Sequence, residues 1–375
     1  MTLVFVSNYI NHHQLPFCDA CHRLLGDGFT FIQTEAMERE RLEIGWDEEG
    51  QKRTYVRFVY KEKEPLLRLI ADSDILIAGW SEDAEVLAAV QKRVLSGRLT
   101  FCASERIYKT GRWRVFSPRG LVRNYRERTR HRRRPYYLLC VGAHVAADYR
   151  LIAAFPGKKY RWGYFPAVIS YGEELWQAKK AAATVRICWA GCFIPLKRPE
   201  WMLRLARDLR AGSRPFELHM VGGGEMEEEL RRMAREYGLD EAAVFHGVCT
   251  PARTREIMAT SHIFVLCSNR IEGWGAVLNE AMNAACAVVA TSEAGATGYL
   301  VADGENGFAY RGRYATMRDM VLRLCDDAPL RERLGRAAYR SITEVWNAER
   351  AAGEFLRFCR DEGLPPPGGP MSVEG

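Results

Sequence analysis

The chain has 375 residues, 47% of them hydrophobic and 27% charged. That composition excludes a disordered or fibrous protein, and the length suits two domains. No apolar run reaches the ~18–20 residues that a bilayer-spanning helix needs. Formal net charge is +7, and the stretch from Arg112 to Arg134 holds ten arginines against one glutamate, so the rest of the chain is near neutral.

Short apolar runs alternate with stretches of helical period along almost the whole chain, a pattern that predicts α/β domains with parallel sheets. Residues 1–8 run straight into a strand-like pattern, without the order of a secretory leader, so none is expected. The first half predicts strands at 2–7, 29–34, 74–78, 99–103 and 136–141, with helices over 16–25, 65–71 and 83–94. The guanidinium cluster at 112–134 then demands an anionic neighbour: phospholipid head groups, a phosphorylated substrate or nucleic acid. A solvated basic helix without a partner is the plainer reading. Residues 158–166, aromatic and broken by Gly163 and Pro166, read as a segment packed between domains. The second half predicts strands at 184–189, 217–221, 243–247, 263–267 and 287–290. A last helical stretch covers 345–360, and residues 363–375, rich in Pro and Gly, read as disordered. The expected organisation is a Rossmann-like domain over 1–165, a second over 166–345, a helix within 346–362, and the tail. Two doubly wound domains would face each other across a cleft. Ligands of such sheets bind beyond the carboxyl ends of the strands, so function is sought in the loops that follow strands.

The most informative of these loops begins at Cys267 and reads Cys-Ser-Asn-Arg-Ile-Glu-Gly-Trp-Gly-Ala-Val-Leu-Asn-Glu-Ala-Met. It leaves a predicted strand, passes Gly273 and Gly275, and enters a predicted helix. Glycines let a ligand approach the backbone, and the first N–H groups of a helix favour anionic or hydroxyl oxygens. An ionised carboxylate only accepts, so Glu272 in the loop and Glu280 on the helix suit the paired donors of vicinal hydroxyls on a sugar or ribose. On spacing alone, a solvent-facing Glu280 and a Glu272 that merely favours the helix start is an equal reading.

Glu272 and Glu280, separated by seven residues within Glu-Gly-Trp-Gly-Ala-Val-Leu-Asn-Glu, closely resemble the E-x7-E signature of glycosyltransferase family 4, retaining enzymes of the GT-B fold. The resemblance runs through the second half in order: Trp189–Lys197 is similar to the first donor-domain strand and phosphate loop, Met220–Gly224 to the second glycine turn, and Val244–Val248 to the strand before the base-contacting residues. It implies that Lys197, near Gly191, binds the donor diphosphate. Glu272 and the backbone of Gly273, Trp274 and Gly275 would hold the donor sugar, and Glu280 the ribose. Val248 and Cys249 would lie near the base, beside the turn at Gly222 and Gly223. Glu272 and Lys197 are the residues expected to carry the chemistry. The chain departs from the family pattern at Cys192, where an arginine is common, and at 77–81, which lacks the family's histidine.

In the first half, His12 and His13 after the first strand and Glu105 after the strand at 99–103 are cleft candidates; helix-start capping explains the histidines equally well. Three signals are set aside. Cys18, Cys21 and His22 have metal-like spacing but fall in an amphipathic helix with no second ligand pair. Asp72 and Asp74 sit where aspartates turn the chain, and His144 reads as a helix-start residue.

The resemblance implies an enzyme that transfers a sugar from a nucleotide-diphosphate-sugar to a hydroxyl acceptor with retention, in polysaccharide or lipid-linked glycan synthesis. Neither a metal nor a cofactor is expected, the nucleotide-sugar being a substrate. A sugar-nucleotide epimerase or a phosphorylase on the same plan is the alternative. The expected partners are the donor, a carbohydrate or lipid-linked acceptor, and an anionic membrane surface at 112–134. No nucleic acid is expected, because that reading explains neither glutamate. Eleven scattered cysteines point to a reducing cytoplasm, with peripheral attachment to the inner face of the membrane.

Overall fold

The structure is a computed structural model that describes residues 1–37, 49–361 and 366–374. The chain divides into two compact units, Met1–Ala167 with Trp346–Gly375, and Val168–Val345.

The first unit is built on β1 (Leu3–Ser7), β2 (Phe29–Gln33), β3 (Val56–Phe58), β4 (Ile75–Ala78), β5 (Thr100–Ser104), β6 (Tyr136–Val141) and β7 (Lys159–Trp162). All pair in parallel, in the order β3-β2-β1-β4-β5-β6-β7. β1 and β4 are buried at every position, as central strands covered on both faces must be. The helix Ala348–Cys359 brings the end of the chain back into this unit. Its Phe355 is fully buried against Phe17, Phe101 and Trp162, and Phe358 packs on Tyr137 and Tyr160.

Two expectations change here. Residues 158–166 are not a connector: four of them form the edge strand β7. Nor is the expected tail disordered over 366–374 (residues 363–365 and 375 lie outside the described residues). The Arg161 and Met371 backbones exchange hydrogen bonds with the tail and strand, Arg161 N–H to Ser372 O at 2.8 Å and Met371 N–H to Arg161 O at 2.9 Å. Glu374 N–H donates to Lys159 O at 2.8 Å, Arg161 pairs with Glu374 at 3.0 Å, and Met371 is buried. An edge strand exposes unpaired backbone groups, and the tail satisfies them.

The second unit is built on β8 (Val185–Ala190), β9 (Phe216–Val221), β10 (Ala243–Gly247), β11 (Ile263–Leu266), β12 (Ala287–Thr291) and β13 (Phe308–Tyr310), parallel in the order β10-β9-β8-β11-β12-β13. Counted from its own first strand this is 3-2-1-4-5-6, the dinucleotide-fold order. Ile187, Trp189, Val265 and Val289 project from one face of this sheet and are buried with Met202, Leu205, Leu209, Met317 and Leu334 in one core. No helix among the described residues is long and apolar enough to cross a membrane.

Candidate functional site

In a 3-2-1-4-5-6 sheet the chain reverses direction between the first and fourth strands, and the loops after those two strands part to open a crevice. In the second unit the strands are β8 and β11, and their loops carry Lys197 and Glu272. Cys267 Sγ donates to Lys197 O at 3.2 Å, and Asn269 N–H donates to Leu196 O at 2.8 Å. The Asn269 side chain accepts the Ile271 N–H at 2.9 Å while its carbonyl accepts the Glu272 N–H at 3.0 Å. That turn aims the Glu272 carboxylate at Lys197, and the two form an ion pair with both side chains largely shielded from solvent.

Backbone-to-backbone packing fixes the crevice floor. Gly222 N–H donates to Gly247 O at 2.8 Å, Gly191 N–H to Val221 O at 3.0 Å and Phe193 N–H to Gly223 O at 2.8 Å. Gly222 has φ +134°, and a Cβ there would lie 1.9 Å from Gly191 O. Only glycine fits, for reasons of both conformation and space. A Cβ on Gly223 would meet Val248 Cγ2 at 3.0 Å, which puts the exposed Val248 beside the glycine turn; Cys249 follows it, half-buried.

Past Glu272, the Gly273 and Trp274 carbonyls accept the N–H groups of Gly295 and Ala296, each at 3.0 Å, so the loop after β12 buttresses the motif. Gly275 makes the turn into the helix with φ +90°. The buried Trp274 indole N–H donates to Asn279 Oδ1 at 2.8 Å. The Trp274 side chain therefore anchors the loop, and only its backbone is left to face a ligand. Glu280, on the helix Val277–Asn283, is 8% exposed, and its Oε1 has no hydrogen-bond partner among the described residues. Burial pushes its carboxyl up to about 7, opposed in part by the charge of Arg255. A carboxylate buried without a donor costs free energy in the empty protein.

The donor-side residues expected from sequence thus gather on the strand-end loops of the second unit, with Glu280 on the helix that follows. Two charged residues there were missed. Arg198, with φ +52°, follows Lys197, lies over the Trp201 ring at 4.7 Å and reaches Glu293 at 3.2 Å. Glu293 stands two residues past β12, where the strand-end rule would have found it. Cys192 is exposed in the β8 loop. Behind the glycine turn, His219 and His246 stack at 5.2 Å, with His219 also 3.3 Å from Glu217; burial lowers the pKa of both histidines.

In the first unit, His12 and His13 follow β1 with their rings 3.8 Å apart, and the His13 ring is 5.9 Å from that of Tyr164. The Tyr164 hydroxyl donates to Glu105 Oε1 at 3.2 Å, and Lys109 also holds that carboxylate. His13 and Glu105 therefore share Tyr164 as a neighbour at the carboxyl end of this sheet. Asp74 accepts the Thr2 N–H at 2.7 Å, which ties the start of β4 to the start of β1, and Cys18 and Cys21 are buried in the helix Leu15–Leu25.

Residues 173–341 match the model of the family Glycosyl transferases group 1. No curated protein matches the sequence. Among solved structures, Anabaena HepE in complex with UDP is similar at TM-score 0.68 and 14% identity, over 96% of this chain and 100% of that one. A glycosyltransferase from Rickettsia africae ESF-5 is similar at TM-score 0.68 and 12% identity, over 96% and 98%. The lipopolysaccharide outer core galactosyltransferase WaaB, in its apo form, is similar at TM-score 0.66 and 13% identity, over 97% and 100%. With two parallel-sheet Rossmann-like units, the chain has the α/β GT-B fold.

Proposed function

We propose that this GT-B protein, with its group 1 glycosyltransferase segment, moves a sugar from a nucleotide-diphosphate-sugar to a hydroxyl acceptor with retention of configuration, as the E-x7-E resemblance implies. The observation that carries this reading is the Lys197–Glu272 pair on the two loops of the switch point, with Glu280, whose buried Oε1 has no partner among the described residues, on the helix that follows directly. An incoming diphosphate competes with Glu272 for Lys197. When it wins, Lys197 meets the leaving group and Glu272 is released to accept hydroxyls of the sugar. Glu280 accepts the ribose diol, and Val248 and Cys249 flank the base.

In the reaction the anomeric C–O bond breaks and its electron pair goes to the diphosphate oxygen. The acceptor oxygen forms the new bond and its proton passes to the leaving phosphate. Lys197 stabilises the charge that develops on that phosphate, a contribution usually worth 10²–10³ in rate. No step needs a metal, so turnover in the presence of a chelator is expected to be unchanged. UDP bound to Anabaena HepE makes UDP-sugars the first donors to try. A polysaccharide or lipid-linked glycan is the proposed acceptor.

The test is a product assay with labelled UDP- and GDP-sugars. Acceptor-dependent product with the donor's anomeric configuration supports the proposal, as does a 10²–10³-fold fall in kcat/KM for Lys197→Ala and Glu272→Ala. Conversion without an acceptor points to epimerisation and consumption of free phosphate to phosphorolysis; either contradicts it, as does undiminished turnover in both variants.

A further inference from the structure

The helix Pro118–Glu127 in the first unit is amphipathic, yet it buries only Asn124, which donates to the Tyr108 hydroxyl at 3.2 Å. At 100° per residue Leu121, Val122 and Tyr125 lie on one face. That face points to solvent, with the three side chains 46%, 50% and 60% exposed. The turn Arg112–Phe116 just before the helix adds Trp113 and Phe116, 69% and 80% exposed. Five large apolar side chains within thirteen consecutive residues are thus exposed, and clustered exposed apolar residues mark interaction surfaces.

A groove of about 620 Å³ shares Val122 with the apolar stripe and is lined further by Arg119, Arg123, Arg126, Arg130 and Glu127, among others. Neighbouring Arg112 and Arg128 reach carboxylates, Asp148 at 3.6 Å and Glu127 at 3.2 Å. Arg119, Arg123 and Arg126 reach none among the described residues.

We propose that this surface docks on an anionic lipid bilayer, with the helix in the plane of the interface, its apolar face in the acyl boundary and lipid phosphates in the arginine groove. The proposal does not depend on the glycosyl-transfer reading. Amphipathic helices with arginine on the polar side and aromatic and aliphatic residues on the other bind interfaces in this way. Nucleic acid would engage the arginines but gives Leu121, Val122 and Phe116 no apolar phase. A second copy would bring the same excess of positive charge into repulsion with itself.

The test is co-sedimentation of the full chain with vesicles of phosphatidylcholine, alone or with phosphatidylglycerol, at low and high salt. Binding is expected to phosphatidylglycerol vesicles and to weaken with salt. Arg119→Gln, Arg123→Gln and Arg126→Gln together are expected to weaken it on the order of 100-fold, at about tenfold per 1.4 kcal/mol. Leu121→Ser, Val122→Ser and Tyr125→Ser together are expected to weaken it at least tenfold. Arg204→Gln, Arg232→Gln and Arg235→Gln in the second unit serve as a charge-matched control expected to bind normally. Brominated acyl chains are expected to quench tryptophan emission, and Trp113→Phe to remove that quenching. All substituted side chains are exposed, so circular dichroism is expected to be unchanged. Failure to sediment at low salt, equal binding to neutral vesicles, indifference to the serine substitutions, or preference for single-stranded nucleic acid over vesicles would each overturn the proposal.

Discussion

Glu280 is the residue whose cost to the fold is easiest to see. Burial raises its carboxyl pKa to about 7, well above the ordinary value of 4.5, and its Oε1 has no hydrogen-bond partner among the described residues. A folded-state pKa raised above the unfolded one means that the folded state holds its proton longer. Its contribution to stability is complete below pH 4.5 and is lost as the pH rises to 7. The loss is on the order of 3 kcal/mol. Glu280→Gln is therefore expected to raise the melting temperature at pH 8 and to leave it unchanged at pH 4, measured by calorimetry. A ribose diol that donates to the ionised form reverses the sign for binding. Donor affinity is expected to fall up to about tenfold from pH 8 to pH 6, and Glu280→Gln to abolish that dependence. That combination, weaker in the empty protein and stronger in the complex, is the one expected of a ligand-binding residue. Lys197 and Glu272 differ in that each satisfies the other until a ligand divides them.

At the level of elements, the site is a set of strand-end loops locked to one another through backbone. Gly222→Ala would force a Cβ to 1.9 Å from Gly191 O, at a φ that alanine rarely adopts. It is expected to separate the loops after β8 and β9 and cost several kcal/mol, seen as lower urea stability together with lost nucleotide binding. In the other unit a buried arginine does comparable work: Arg93 donates to the carbonyls of Ile70, Ala71, Asp74 and Leu99 and joins a helix end to two strand starts. Arg93→Met strands those acceptors, and a loss of about 3 kcal/mol or more in urea unfolding is expected. Nine of the ten strands legible as apolar runs are central parallel strands, which are covered on both faces, and the tenth, β10, is an edge strand of five residues. β3, β7 and β13 were not legible, because they lie at sheet edges and run only three or four residues. Lys159-Tyr160-Arg161-Trp162 alternates polar with aromatic as a half-covered edge does, and the composition of the tail hid its role as the cover. The site was legible where its residues are near in sequence, as Glu272 and Glu280 are. Arg198 and Glu293 lie 95 positions apart, and only the neighbouring placement of β8, β11 and β12 brings them together.

At the scale of the whole molecule, each unit has its own sheet and core, and the first is completed by the end of the chain. Phe355→Ala removes the aromatic on which Phe17, Phe101 and Trp162 converge and is expected to cost about 3–5 kcal/mol. Hydrogen exchange is expected to quicken in β1 and β5 and stay unchanged in β8 and β11. Donor-side residues all lie in Val168–Val345, so nucleotide protection is expected in the loops after β8, β9 and β11. The proposed grip of Lys197, Glu272 and Glu280 on an activated sugar is tested by isothermal titration of the protein with a panel of nucleotide-diphosphate-sugars. Saturable one-to-one binding of at least one of them is expected, weakened tenfold or more in each of Lys197→Ala, Glu272→Ala and Glu280→Gln. Heat curves unchanged in the three variants, or no binding across the panel, would contradict it.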